Sequence, residues 1–173
     1  MSEDAIPLDT KRHSCAHLMA AAIQDLWPGT RFGVGPATTQ GFFYDVALPG
    51  DETLTIEDLP KIEKRMKELR KKKAKFEVEA KPVDDAIEYM RGQGQDMKVE
   101  LLELLRDKGS TAIAKETGDE AVAADGVDEV TFYKLGDFVD LCRGPHVDHA
   151  GQVGHFKLRS LAGAYWRGKP ENS

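Results

Sequence analysis

The sequence predicts an α+β fold, a two-layer arrangement in which a mostly antiparallel sheet packs against helices. Three observations lead there. The first hundred residues carry apolar stripes at helical spacing, two of them in segments rich in Lys, Glu and Ala. Between these lie short runs of β-branched and aromatic residues bounded by Gly and Pro. The C-terminal third alternates apolar and polar residues with a period of two around a Gly-Asp turn.

Each element has its own local reason. From Thr10 to Trp27, Cys15, Leu18, Met19, Ala22 and Leu26 share one side of a helical wheel, with Asp9 or Thr10 as the cap and Pro28-Gly29 as the stop. Arg31 to Val34 and Gly41 to Leu48 read as a strand pair, the second favoured by Phe42, Phe43, Tyr44 and Val46, and Pro49-Gly50-Asp51 as a turn. A long amphipathic helix then runs from Thr55 or Asp58 to Lys75, with Leu59, Ile62, Met66 and Leu69 inward and Pro60 in its first turn. Phe76 to Ala80 alternates as a half-exposed strand. Pro82-Val83-Asp84 opens a short helix carrying Ala86, Ile87, Tyr89 and Met90, and Gly92-Gln93-Gly94 ends it. Met97 to Arg106 is a further helix with Leu101, Leu102, Leu104 and Leu105 inward. Residues 109–129 are small and acidic and read as a loop or insertion. Val130 to Leu135 and Phe138 to Cys142 form a hairpin through Gly136-Asp137, which sets Asp140 and Cys142 on one side. Val153 to Arg159 and Ala164 to Arg167 are expected to add strands.

Composition narrows the function. A chain of 173 residues is long enough for one well-buried core, and no apolar run approaches the roughly twenty residues of a membrane helix. The acidic N-terminus lacks the basic and apolar pattern of a secretory signal, and two cysteines with unlike neighbours suit reduced thiols; a cytoplasmic protein with no membrane partner is expected. A net charge of −6 argues against a broad phosphate-binding surface. The charge is uneven, however: Lys61 to Lys75 holds nine Lys or Arg against Glu63 and Glu68, either a solvated helix face or a contact for a nucleic-acid backbone.

Two short stretches concentrate the chemistry. His13-Ser14-Cys15-Ala16-His17 places two imidazoles four residues apart, on one face of the first helix and opposite its apolar stripe, beside Ala20 and Gln24. Such a face suits a semi-buried pocket better than open solvent. Asp140-Leu141-Cys142-Arg143-Gly144-Pro145-His146 brings a carboxylate, a thiol and an imidazole to the end of a strand and a bend. His13, His17, Cys142 and His146 form a set competent for zinc, and equally a polar pocket able to hold water and stabilise charge as an ester is cleaved. Cys15, on the apolar side, reads as a buried thiol; His149 and His155 have no partner spacing.

These segments, with Gly41-Phe-Phe-Tyr-Asp45 and Phe156-Lys-Leu followed by Gly163-Ala-Tyr-Trp-Arg-Gly168, resemble the editing (second additional) domain of bacterial-type threonyl-tRNA synthetase from about Lys11 to Gly168. Alanyl-tRNA synthetase editing domains share the His and Cys-His frame but are not expected to share the Arg-Gly-Pro filling. The resemblance implies hydrolysis of serine mistakenly joined to threonine tRNA, with the acceptor end of that tRNA as partner. By motif match the site is His13, His17, Asp140, Cys142 and His146, with Lys98 in Asp96-Met-Lys-Val-Glu matching a lysine of the same pocket. It assigns catalysis to His13, Lys98 and Asp140: His13 orients or deprotonates water, Lys98 offsets negative charge, and Asp140 fixes the terminal adenosine or the serine amine. His17, Cys142 and His146 shape the seryl pocket. No cofactor is expected, because threonyl-type domains resemble a vacant form of the zinc site; zinc, if bound, would take His13, His17, Cys142 and His146. Residues 1–10 are expected to be a lead-in, 11–168 the editing domain and 169–173 the start of a linker to a ligase core that this chain does not contain. The chain would thus be either an excised domain, with the rest of a synthetase as partner, or a free-standing protein. Two alternatives stand beside this one: a zinc-dependent alanyl-type trans-editing deacylase, and a non-catalytic zinc- or tRNA-binding module.

Overall fold

The computed structural model describes residues 6–33, 38–50, 52–108, 129–142 and 145–161. Its elements are α1 (Leu8–Leu26), β1 (Arg31–Phe32), β2 (Val46–Ala47), α2 (Leu59–Lys71), β3 (Phe76–Pro82), α3 (Val83–Gly92), α4 (Asp96–Lys108), β4 (Glu129–Leu135) and β5 (Phe138–Leu141). All strand pairs are antiparallel: β1 with β2, and a three-stranded sheet in the order β3-β4-β5. The α+β fold is as predicted. Helices cover both faces of the larger sheet, however, rather than one.

The alternation along the hairpin explains this. Val130, Phe132 and Leu141 point to one face and pack against Ala86, Ile87 and Met90 of α3 and Leu101, Leu102 and Leu105 of α4. Leu135 and Phe138 point to the other, against Leu18, Ala21 and Ala22 of α1 and Ile62 and Met66 of α2. Gly136, with φ of 61°, takes the first central position of the two-residue turn, which glycine adopts without the Cβ clash other residues meet.

Several expectations need correction. α1 starts at Leu8 with Pro7 at its cap position, and no side-chain cap bond forms. Its burial is not one-sided: Ser14 to Leu18 and Ala20 to Ile23 are all buried, while Leu26 is 39% exposed. A helix clasped between α2 and the sheet has no free face over its middle turns. The pair β1–β2 is two residues long, well short of the predicted hairpin; Val34 lies outside the described residues. α2 ends at Lys71, not Lys75. There Lys73 takes a left-handed φ of 54° while its N–H reaches the Arg70 carbonyl and that of Ala74 the Leu69 carbonyl, a Schellman cap. At the other end Thr55 and Asp58 form a capping box, and Pro60 sits in the first turn as expected. Val153 to Arg159 is not a strand. The Leu158 N–H donates to Glu63 Oε1 (2.6 Å) and Arg70 donates to the Gly154 carbonyl (2.8 Å), so α2 side chains hold this segment instead of a ladder. Most of the predicted loop over residues 109–129, Gly144 of the predicted Gly144-Pro145 bend and the strand Ala164 to Arg167 lie outside the described residues; Glu129 instead opens β4. None of the described helices is long and apolar enough to cross a membrane.

Candidate active site

The site lies where the middle of α1 faces β3, β4 and residues 145–147. His17 is 3% exposed, its ring 4.7 Å from that of Phe138, 5.5 Å from Phe76 and 5.1 Å from His146. His13, one turn earlier and half-buried, stands edge-on to His146 at 6.5 Å. The Tyr133 ring meets His146 at 4.4 Å and nearly perpendicular, and the His146 backbone N–H donates to the Tyr133 phenol oxygen. The i, i+4 spacing read from the sequence therefore does set both helix histidines against His146.

Ser14, which the sequence reading passed over, fixes His146. Its buried hydroxyl donates to the Thr10 carbonyl at 2.7 Å, the usual back-bond of a helix-interior serine. The same oxygen accepts the Val147 N–H at 2.9 Å and lies 3.1 Å from His146 Nδ1. With its one proton on Thr10, Ser14 must accept from Nδ1; this accounting assigns His146 the Nδ1–H tautomer, with its lone pair on Nε2. The His17 ring bonds the Tyr133 backbone. Nε2 of His17 and Nε2 of His146 are both buried and have no hydrogen-bond partner among the described residues. Burial, then His146 and Lys98, holds His17 well below the usual imidazole range, and burial, then His13, brings His146 down to about 3. Both rings are neutral acceptors at pH 7.

Lys98, in the first turn of α4, closes the arrangement. Its Nζ lies 3.0 Å from Asp140 Oδ1 with both side chains almost fully buried, and 5.9 Å above the Tyr44 ring. Asp140 Oδ1 also accepts the Leu141 N–H at 2.7 Å. Burial pushes the Asp140 carboxyl well above the ordinary carboxylate range, against the charge-favouring Leu141 N–H. Asp45 is raised too, by burial, with Lys98 opposing; it is a second carboxylate in the field of that ammonium. What places Lys98 is Gln95, whose amide donates to the Thr30 carbonyl and accepts the Phe32 N–H, tying the start of α4 to β1. Cys142, half-buried just beyond β5, donates its N–H to the Thr131 carbonyl at 3.0 Å and acts electrostatically on the Tyr133 phenol. A cleft of about 420 Å³, bordered by Gln24, Thr30, Phe32, Gln95 and Phe138, is also lined by Asp140.

The structure thus gathers His13, His17 and Tyr133 around His146, and joins Lys98 to Asp140. Among the described residues no three His, Cys, Asp or Glu are arranged to hold a metal ion, so the set His13, His17, Cys142 and His146 is not drawn together as zinc ligands. Cys15 is buried as expected, its thiol pushed up to about 12 by that burial. His149 caps a short 3-10 turn by accepting the Gly151 N–H, and His155 is exposed.

Residues 130–173, which include Asp140, Cys142 and His146, match the sequence model of the threonyl and alanyl tRNA synthetase second additional domain. The chain is 39% identical over 170 residues to a threonine–tRNA ligase of Francisella tularensis subsp. novicida, and 38% identical to those of subsp. holarctica and subsp. tularensis. Over residues 130–173 the chain is similar to this second additional domain family. Each alignment takes in 98% of the chain, hence both histidine stretches and Lys98, but the chain spans about a quarter (23%) of the length of these relatives. These likenesses support a tRNA-synthetase editing-type domain. Ser14, Asp45 and Tyr133 are the site residues that sequence reasoning missed. A serine inside a helix between two histidines was the one available signal.

Proposed function

We propose that this domain hydrolyses the ester that joins a mistakenly attached serine to the 3′ end of threonine tRNA. The observation that carries the reading is a pair of neutral imidazoles, buried His17 and half-buried His146, whose buried Nε2 atoms have no partner among the described residues, beside a buried ammonium. Unpaired buried acceptors are costly, of order 1–3 kcal/mol each, unless a ligand brings donors. A seryl ester of adenosine is rich in donors: an ammonium, a side-chain hydroxyl and the vicinal ribose hydroxyl. A methyl group is worth only about 1–3 kcal/mol of discrimination, so a synthetase that must separate threonine from serine gains from a second pocket that admits only the smaller.

In this reading His17 and His146 accept hydrogen bonds from the seryl group, and Cys142 lines the pocket. His13, the half-buried imidazole, orients the attacking water or takes its proton. Lys98 faces the negative charge that grows on the carbonyl oxygen. Asp140 was expected to meet the substrate directly, yet its buried Oδ1 serves Lys98 and Leu141, which supports a role in holding the lysine. No step requires a metal. The acceptor end of threonine tRNA is the partner, and the cytoplasm the place of work. His13→Ala and Lys98→Ala are each expected to slow deacylation of seryl-tRNA for threonine about 10²–10³-fold, measured against threonyl-tRNA and against seryl-tRNA for alanine. Near-normal rates in both variants would sink the assignment, and preference for the alanine tRNA would favour an alanyl-type enzyme.

A further inference from the structure

From α2 onward the structure sorts the basic run into paired and unpaired cations. Arg65 is held by Asp25 (2.8 Å) and Glu68 (2.8 Å), Lys61 stands by Asp58 (3.6 Å), and Arg70 donates to the Gly154 carbonyl and lies over the Phe156 ring. Lys64, Lys67, Lys71 and Lys72 remain exposed on the outer face of the helix, opposite Ile62, Met66 and Leu69. Lys73 and Lys75 extend the row past its end.

A solvated face would account for single lysines but not for this grouping. Lys64 and Lys67, and Lys67 and Lys71, are like charges at i, i+3 and i, i+4, which destabilises a helix by roughly 0.2–0.5 kcal/mol per pair. The helix dipole favours cations in the last turn and so covers Lys71 and Lys72, yet it does nothing for Lys64, two turns earlier. Glu68, the one acid on this face, takes its hydrogen bond from Arg65 and lies in the field of Lys64 and Lys72, so a single shared carboxylate stands against the whole row. The rest of the chain is acidic, so the patch is not a by-product of composition. It also leads to the site. Lys75 bridges His149, and the next residue, Phe76, packs against the rings of both His17 and His146 (5.5 and 5.2 Å).

We propose that Lys64, Lys67, Lys71 and Lys72, continued by Lys73 and Lys75, form a docking surface for the phosphate backbone of an RNA helix whose 3′ end enters the histidine site. Its choice of RNA rests on the editing reading; its geometry does not. The test uses the full chain and an uncharged RNA hairpin ending in an unpaired CCA. With Lys64, Lys67 and Lys71 all changed to Ala, hairpin affinity is expected to fall at least tenfold. The slope of log affinity against log salt should shrink by roughly 0.7–0.9 for each phosphate contact removed. Hydrolysis of 3′-O-seryl adenosine, which has no stem, should be unchanged. Unaltered hairpin affinity and slope would overturn the surface, as would an equal loss on replacing exposed Glu77 and Glu79 of β3 by Gln. Should the unmodified chain leave seryl adenosine intact, the editing reading fails while the binding arm still judges the surface.

Discussion

The two faces of one hairpin are built on opposite terms. Towards α3 and α4, β4 and β5 present Val130, Phe132 and Leu141, fully apolar and packed among leucines. Towards α1 the same alternation presents Leu135 and Phe138 but also Tyr133 and Asp140, facing a helix that buries Ser14 and His17, and the Nε2 atoms of His17 and His146 have no partner among the described residues. Folding needs the first kind of face. Buried polar groups lacking partners do not add stability, so their concentration on the second marks where selection has acted on something else.

The largest expected effects set these faces against each other. Phe132→Ala should cost about 3–5 kcal/mol through lost burial and a cavity, read as a shift in the denaturation midpoint. Asp140→Asn should cost a comparable amount by stranding the Lys98 ammonium, whereas Asp140→Leu combined with Lys98→Met should restore or exceed the original stability while abolishing hydrolysis. A double variant as unstable as the single one would show that the ion pair serves the fold rather than the site.

A smaller effect, about 1–3 kcal/mol, is expected for Ser14→Ala, which leaves the buried Val147 N–H without an acceptor. Its distinguishing readout is the ¹⁵N spectrum of His146: the Nδ1–H form in the unaltered chain and a mixture of tautomers in the variant. An unchanged spectrum would remove Ser14 from its positioning role.

The last effect, modest for each step of pH, concerns acidification. His17 and His146 stay unprotonated in the folded chain well below their ordinary 6.5, so the unfolded chain binds more protons as pH falls. Stability is therefore full above about pH 7 and declines through the window from 6.5 towards 3 for His146, by at most about 1.4 kcal/mol per pH unit for each ring. Asp140 runs the other way: raised in the folded state, it holds its proton above 3.8, so its contribution falls as pH rises from there. Denaturation at pH 4.5, 5.5 and 7 should show the net decline on acidification, and His146→Leu should flatten it.

Much of this contrast was legible in the sequence, for reasons that also explain the gaps. Period-two alternation showed the hairpin, and the i, i+4 spacing showed that His13 and His17 belong together, because both are local geometric facts. The burial of α1 on every side of its middle turns was hidden, since that stretch is alanine and histidine and only the tertiary partners α2 and β5 decide which sides are covered. Val153 to Arg159 had the composition of a strand but meets Glu63 and Arg70 instead of a neighbouring backbone. The pairing of Lys98 with Asp140 spans 42 positions, and no sequence period carries that information.

Lys73 holds a record of compromise. A left-handed residue other than glycine costs roughly 1–2 kcal/mol, and glycine is the commonest occupant of that place in a Schellman cap. A chain shaped by folding alone would have drifted to glycine there, losing one cation between the outer face of α2 and Phe76. Position 73 thus offers a ledger-free way to compare lineages: where glycine replaces lysine, stability has been preferred to charge, and where lysine persists, the reverse.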